Sequence, residues 1–420
     1  MRQRFVLLCL LAGLLRTDLA AASGYGLFQH GGRAMGQAGA FTARASEPSA
    51  VTYNPAAITQ LSGLQVQAGL DLSNSETKYI SSTGSFSAKH IIDFPPTLYL
   101  TWKAREAPIA LGIGLDSPFW SRMDWEPALF PGRFLTRAFE LRVAELHSVL
   151  AYDLGEGWSV AGGLRYVYGS LEQGDNELFQ VTSQGQIFDV EVERTSDADV
   201  DAFAWDLAVH YAAPSWGWGG VFRSPARLKG NGDVSYDVRD LPNPALETQI
   251  RNFLQSGSAR QAFEIPREIR AGTWFAPYPE LRIELDLAYQ SWSSLDETSI
   301  TFSPDLLRQS PLVTPRDWED TLAIRLGLEG NITDNFLLFG GVGYEPSPVG
   351  DRVEPGFPRG DATIYAAGFS YNFPQVSFDV GYSFHDHDPQ GASRQEPSPL
   401  VSGTYSGTAQ VWGFSVRRRW

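Results

Sequence analysis

"LRIELDLAY", Leu281–Tyr289, puts Leu281, Ile283, Leu285, Leu287 and Tyr289 at every second position, with Arg282, Glu284, Asp286 and Ala288 between them. Successive side chains of a strand point to opposite faces, so this segment is apolar on one side and polar or small on the other. The pattern recurs. In Asp201–Tyr211, Phe203, Trp205, Leu207, Val209 and Tyr211 oppose Ala202, Ala204, Asp206, Ala208 and His210. In Val376–Phe384, Val376, Phe378, Val380, Tyr382 and Phe384 oppose Ser377, Asp379, Gly381 and Ser383.

A soluble β-sandwich alternates in the same way, with its apolar face turned inward. Strand length and loop rhythm separate the two architectures. Many segments run to about ten residues or more, beyond the usual five or six and close to the span of a tilted transmembrane strand. Tight links occur at Lys103–Glu106, Leu154–Gly157, Ala213–Ser215, Pro277–Pro279, Asn331–Asn335 and Phe373–Pro374. Between them lie long loops near 74–91, 117–137, 172–198, 230–264, 292–317, 346–360 and 387–404. Short turns on one rim and long loops on the other describe an outer-membrane barrel. Six tight turns and seven long loops join fourteen strands, with both ends on the short-turn side. The expected fold is all-β: a transmembrane antiparallel barrel, closed because no open strand edge survives in lipid.

Composition agrees. The chain has 420 residues, 41 of them Gly, with 13% aromatic and 19% charged residues, where soluble domains have about 25% charged. A formal charge of -15 excludes a nucleic-acid partner, whose phosphates require a basic face. Arg2 and Arg4 precede an apolar run, Phe5–Leu15, and Ala20-Ala21-Ala22 supplies a small-residue cleavage pattern. Residues 1–22 are therefore expected to be a signal peptide, and its removal takes away Cys9, the single cysteine. The last segment, Thr408–Trp420, sets Trp412, Phe414, Val416 and Trp420 against Val411, Gly413, Ser415 and Arg417. Its terminal aromatic resembles the signal read by the bacterial barrel-assembly machinery.

Residues 23–63 do not alternate. They are rich in Gly and Ala with few charges, too apolar for a solvated linker and too irregular for lipid. Irregular backbone at membrane depth is tolerated where protein surrounds it, so the segment is expected inside the barrel as a plug, with residues 64–420 forming the wall.

"SGYGLFQHGGRAMGQAGAFTARASEPSAVTYNPAAITQLSG", residues 23–63, resembles the N-terminal hatch of the long-chain fatty acid transporter (FadL/TodX) family of outer-membrane proteins. Ser23, Gly24, Tyr25 and Phe28 open it, and Asn54-Pro55-Ala56 supplies the family's N-P-A triplet. "PPTLYLTW", "LGIGLDSPFW", "IPREIRAGTWF", "WSSLDE" and "DWEDTLAIRLGLEGNITDNFLLFGGVGYEPSPV" follow in family order. The resemblance implies uptake of hydrophobic compounds, either long-chain fatty acids or hydrocarbons. Ligand is caught on extracellular loops, passes the hatch, and leaves sideways beside an inward-kinked third strand.

Candidate residues follow. The third strand, Pro108–Asp116, has Ala110, Gly112, Gly114 and Asp116 inward; Gly112 and Gly114 with Pro118 either permit the lateral gate or make room for the plug. Loop 117–137 holds Phe119, Trp120, Met123, Trp125, Leu129, Phe130 and Phe134, and in "NPALETQIRNFLQ" the residues Leu246, Ile250, Phe253 and Leu254 recur at helical spacing. Together they resemble the family's paired loop elements, a ligand-binding groove. Arg165, Arg282 and Arg325 face inward by alternation; Arg165 and Arg325 suit a ligand carboxylate, or pair with lumen acids such as Glu284, Asp286 or Glu329. Without cations free for a carboxylate, a neutral hydrocarbon becomes the better ligand.

"HDHD", His385–Asp388, reads as a polar strand end, and no metal or other cofactor is expected. "GGVG", Gly340–Gly343, lacks the Lys-Ser/Thr of a phosphate loop. The expected protein is a non-enzymatic, passive transporter in the outer membrane of a Gram-negative bacterium. It is a monomer in contact with lipid and lipopolysaccharide, assembled through Trp420. The alternatives are a general diffusion porin and an outer-membrane hydrolase.

Overall fold

Antiparallel pairing runs from strand to strand until the last meets the first. The wall begins with β1 (Gly63–Ser81), β2 (Ile91–Asp93 and Pro96–Lys103), β3 (Ile109–Asp124), β4 (Ala138–Gly155), β5 (Trp158–Ser183), β6 (Gln186–Ala212) and β7 (Trp216–Arg223 and Ala226–Val238). It continues with β8 (Gly257–Ile265 and Glu268–Tyr278), β9 (Leu281–Gln290 and Glu297–Ser303), β10 (Leu312–Pro315 and Thr321–Asn331), β11 (Phe336–Glu345), β12 (Ala362–Asn372), β13 (Val376–Gly391) and β14 (Gly403–Arg419). β14 pairs with β1 from Gln65 opposite Arg419 to Ser81 opposite Gly403, closing a barrel of fourteen strands. This computed structural model describes residues 29–125, 130–183, 185–238, 241, 243–350, 353–391 and 402–420. The expected signal peptide, Ser23, Gly24, Tyr25, Phe28 and Leu129 lie outside them. No helix among the described residues is long and apolar enough to cross a membrane.

Alternation sets which way each strand faces. On β9, Leu285 and Leu287 are exposed while Glu284, Asp286 and Ala288 are buried; on β14, Trp412, Phe414 and Val416 face out and Val411, Gly413 and Ser415 face in. On β5 the outward residues are apolar or aromatic from Trp158 through Val160, Leu164 and Tyr166 to Tyr168. Tyr168 lies opposite Asp201, and Asp201 opposite Lys229, so the outer surface becomes polar at that height. Ten residues at about 3.3 Å each, tilted by about 40°, give a belt about 25 Å tall, which matches an outer membrane.

The tight turns fall where expected. In the β4–β5 turn Gly155, Glu156 and Gly157 all have positive φ, as a two-residue hairpin matching the strand twist requires. On the other rim strands run on into several of the expected loops, and two depart furthest. Residues 172–198 are not a loop: β5 and β6 continue as one paired hairpin from Trp158 opposite Tyr211 to Ser183 opposite Gln186, well above the apolar belt. Loop 117–137 likewise begins later, because β3 runs on to Asp124 and carries Phe119, Trp120 and Met123 on its extracellular half. In both, alternation persists past the lipid boundary because the inward face still has a core to cover.

β7, β8, β9 and β10 all break at one level: at Ser224-Pro225, Pro266-Arg267, a 3₁₀ turn Trp292–Ser294 and residues 316–320. Pro225 and Pro266 have no N–H to give to the ladder, and the coincident breaks make a crease across this side of the wall.

Candidate functional site

The lumen is filled by residues 29–62, which run through two single-turn helices, α1 (Gly32–Met35) and α2 (Ala50–Tyr53), and a 3₁₀ helix, Pro55–Gln60. Residues 29–47 are held mainly by charge. Asp286 accepts from the Phe41 and Thr42 amides at 2.9 and 2.8 Å, and Glu284 from those of Ala43 and Arg44 at 2.7 and 3.2 Å. Arg33 makes a bidentate pair with Glu329 at 2.7 and 2.8 Å, and Arg417 reaches Glu47 at 2.9 Å. His30 Nδ1 lies 3.0 Å from Asp71. Asp71, Glu284, Asp286 and Glu329 sit on the inner faces of their strands because the period-two pattern puts them there.

Residues 50–61 are held mainly by apolar contact. Val51, Tyr53, Ala56, Ala57, Ile58 and Leu61 pack with Tyr99 of β2 and with Ala110, Val149, Ala151, Ala161, Ala208 and Val221, small inward residues of β3–β7. The Asn54-Pro55-Ala56 triplet is a cap: Asn54 Oδ1 accepts from the Ala56 amide at 3.2 Å, and its Nδ2 donates to Thr42 O and Val209 O at 2.9 and 3.2 Å. A Cβ on Gly112 would lie 2.7 Å from Val51 Cγ2 and 3.1 Å from Ile58 Cδ1, and one on Gly114 would lie 2.9 Å from Val51 Cγ1. These two glycines therefore give the plug its room.

β2 and β3 pair only between Leu98–Lys103 and Ala110–Leu115. Above that, β3 pairs with β4, its register shifting by one residue between Asp116 and Phe119, and it meets the chain before β2 again only at its top, where Lys89 N donates to Asp124 O at 2.7 Å and Ala88 bridges Trp125. The bulge contains Ser117-Pro118, where the missing N–H of Pro118 ends regular pairing. Asp116, just below, faces inward and accepts from the Thr52 hydroxyl and, at 3.1 Å, from Tyr99.

A cavity with about 450 Å³ of empty space lies between this bulge, the plug and the crease, lined by His30, Thr52, Pro118, Phe119, Arg165, Arg223, Ile265, Pro266, Glu268, Arg270 and Gln290. Arg223 and Arg270 both donate to the Thr52 carbonyl, at 3.0 and 3.1 Å. Neither arginine was singled out from the sequence, although alternation along Trp216–Arg223 and Glu268–Tyr278 turns both inward. Arg165 and Arg325 do not stand open as carboxylate partners: Arg165 pairs with Glu145 at 2.7 Å, and Arg325 with Glu345 at 2.6 Å. The acids expected to hold them, Glu284, Asp286 and Glu329, hold the plug instead. Arg282, half-exposed, lies 3.4 Å from Glu329.

Above the cavity, Phe119, Met123, Trp125 and Phe130 join Tyr79, Trp292, Trp318, Phe357 and Tyr405 in one buried aromatic chamber. Trp125 stacks on Phe130 at 4.4 Å, and Trp292 meets Phe119 at 6.4 Å and Trp318 at 5.2 Å. The second expected loop element is elsewhere. Helix α3 (Pro244–Phe253) buries Leu246 and Ile250, with Leu254 just beyond it, against Val190 and Val192 of the extended hairpin and Val238 of β7, while Phe253 stays 61% exposed. The two elements thus bury their apolar residues in two separate cores. Trp120 and Phe134 are half-buried on the edge, under Arg142 at 5.5 Å and Arg133 at 4.1 Å.

Residues 13–420 match the family model of the outer membrane protein transport proteins (OMPP1/FadL/TodX). The 47 kDa outer membrane protein of Pasteurella multocida is 27% identical over 104 residues, 24% of this chain and 23% of that protein. Alkane uptake protein A of Marinobacter nauticus is 26% identical over 159 residues, 35% of this chain and 32% of that protein. These matches thus span a third or less of either relative. A Pseudomonas aeruginosa FadL homologue of known crystal structure superposes with a TM-score of 0.82 at 16% identity, over 94% of this chain and 100% of that one.

Proposed function

Because the chain belongs to the OMPP1/FadL/TodX family of outer-membrane transport proteins, we propose that it admits hydrophobic small molecules, long-chain fatty acids or hydrocarbons, through its lumen. Apolar ligands collect in the aromatic chamber, descend to the cavity above Thr52, and leave sideways where the β2–β3 ladder ends. The supporting observation is that one cavity touches all three parts: the plug at His30 and Thr52, the chamber at Phe119, and the β3 bulge at Pro118. Lateral release keeps the ligand out of water, where burial of its apolar surface is lost. The outward belt faces lipid and lipopolysaccharide, and Trp420, 59% exposed at the turn-side rim, is offered to the assembly machinery of a monomeric barrel.

The test is growth or uptake in a deletion strain supplied in turn with oleate, toluene or an alkane. The intact gene is expected to restore at least one. Pro118→Ala, which returns an N–H to the bulge, is expected to lower that uptake several-fold while the barrel still assembles. Unchanged uptake would remove the lateral exit. A general porin would instead give large, steady conductance in planar bilayers, which the filled lumen opposes.

A further inference from the structure

On one edge of β8 the wall loses its ladder. β8 pairs with β9 from Ser258 opposite Ser303 down to Ala262 opposite Ser299, and again from Glu268 opposite Gln290. Between those points residues 263–267 of β8 face the longer stretch 291–298 of β9, so no register can align them. β9 turns its backbone groups on itself here: Ser294 N donates to Ser291 O at 3.1 Å, and Leu295 N to Trp292 O at 2.9 Å. Pro266 has no N–H to offer in return. The other edge of β8 is interrupted more briefly, between Ile265 opposite Ala226 and Glu268 opposite Arg223.

Side chains rather than a ladder therefore close the wall at this place. On the outside a pocket with about 510 Å³ of empty space, part of it open to the surroundings, is lined by Lys229, Ala262, Phe263, Glu264, Ser294 and Leu295 among others. Phe263 and Leu295, each 3% exposed, belong equally to the buried aromatic chamber, with Phe119 and Trp292. On the inside, the cavity that touches Pro118 of β3 also touches Ile265 and Pro266 of β8 and Gln290 of β9. The lapse lies at the top of the apolar belt. Below it Ile269, Leu287 and Leu322 are exposed on the outer face; beside it Arg227 pairs with Glu264 at 2.7 Å, and Lys229 stands opposite Asp201. Unpaired backbone is tolerated at that height, where hydrocarbon gives way to polar head groups.

We propose that this lapse is a second portal in the wall, through which a neutral hydrophobic molecule dissolved in the outer leaflet enters the aromatic chamber past Leu295 and Phe263. This rests on the transport reading and adds a route to it, capture from the leaflet beside capture on the loops. The occupant is neutral and apolar because Leu295, Phe263, Trp292 and Phe119 are what it meets on the way in. Such a ligand passes from lipid to chamber without exposing its surface to water. Leu295 follows a short turn and belongs to no strand, so moving it breaks no strand pairing.

Cys9, the single cysteine, lies in the expected signal peptide, so an introduced thiol can be labelled selectively. Ser294→Cys puts that thiol at the outer mouth, and Ser82→Cys, in the exposed turn after β1, serves for comparison. Hexadecane uptake is measured in the deletion strain carrying each variant, before and after labelling whole cells with a bulky polyethylene glycol maleimide; toluene replaces hexadecane if only toluene is carried. Labelling Ser294→Cys is expected to lower uptake several-fold, and labelling Ser82→Cys to leave it unchanged. Leu295→Trp, which fills the passage without a label, is expected to lower uptake in an assembled barrel. Native-like uptake in fully labelled Ser294→Cys or in assembled Leu295→Trp would overturn the portal, as would an equal fall on labelling Ser82→Cys. A native protein that carries neither hydrocarbon would instead fail the transport reading itself.

Discussion

The two halves of the plug meet the same wall in different ways. Residues 29–47 offer backbone amides and arginines to Asp71, Glu284, Asp286 and Glu329, and the Glu47 carboxylate to Arg417, whereas residues 50–61 offer mostly apolar side chains to alanines and valines. Charge-assisted hydrogen bonds are directional and lost all at once, while apolar contacts slide and re-form. We therefore expect the first half to keep its place when the second half, beside the end of the β2–β3 ladder, shifts to pass a ligand. A plug that released its charged half would leave Glu284 and Glu329 on the wall without Arg44 and Arg33, a cost of about 3–5 kcal/mol for each buried pair broken.

The largest effect should come from removing the anchor. Replacing Glu284 and Asp286 together by Ala strips the acceptors from four consecutive amides, each costing about 1–3 kcal/mol if left unsatisfied. The wall ladders are untouched, so the barrel is expected to assemble but to leak, with conductance in planar bilayers rising several-fold over the native protein. Native-like conductance would show that the charged half is not what holds the plug.

How far the sequence revealed this varies by residue. Alternation placed Glu284 and Asp286 on the inner face, as it did Arg165 and Arg325, because facing is a property of one strand. Pairing belongs to several strands: Arg165 meets Glu145 of β4 and Arg325 meets Glu345 of β11, and strand-by-strand reading does not fix which inward acid a side chain reaches. Helical spacing found α3 and its buried Leu246 and Ile250. It grouped Phe253 with them, although Phe253 falls on the far side once the helix lies against the hairpin. Trp292, Trp318 and Phe357 stood within or beside motifs already quoted, yet isolated aromatics in loops carry no period to mark them as one chamber.

A second prediction asks whether the apolar half needs its room or the wall needs its flexibility. Gly112→Val would drive a side chain into Val51 and Ile58, an overpacking cost of about 1–3 kcal/mol, and uptake should fall severalfold with little leakage. If Gly112 serves to admit the plug, adding Val51→Ala should restore much of that uptake. Failure of the second substitution to rescue would assign Gly112 to the bending of β3 instead, and the two halves would no longer differ in the way argued above.

The smallest expected effect is the most local. Ser159 Oγ donates to the Ala56 carbonyl at 2.9 Å, a tie between two neutral groups on the apolar half. Ser159→Ala removes it at a cost of about 1 kcal/mol, which corresponds to roughly a fivefold change in a local opening equilibrium. Hydrogen exchange followed by mass spectrometry is expected to show faster exchange in peptides covering residues 50–61 and no change in those covering 29–47, with uptake within about twofold of native. The tie is short-range, so its loss should not reach the carboxylates on β9 and β10. Equal acceleration in both halves would mean that the plug opens as one cooperative unit, and the anchor would then have to be sought in the whole segment rather than in its first half.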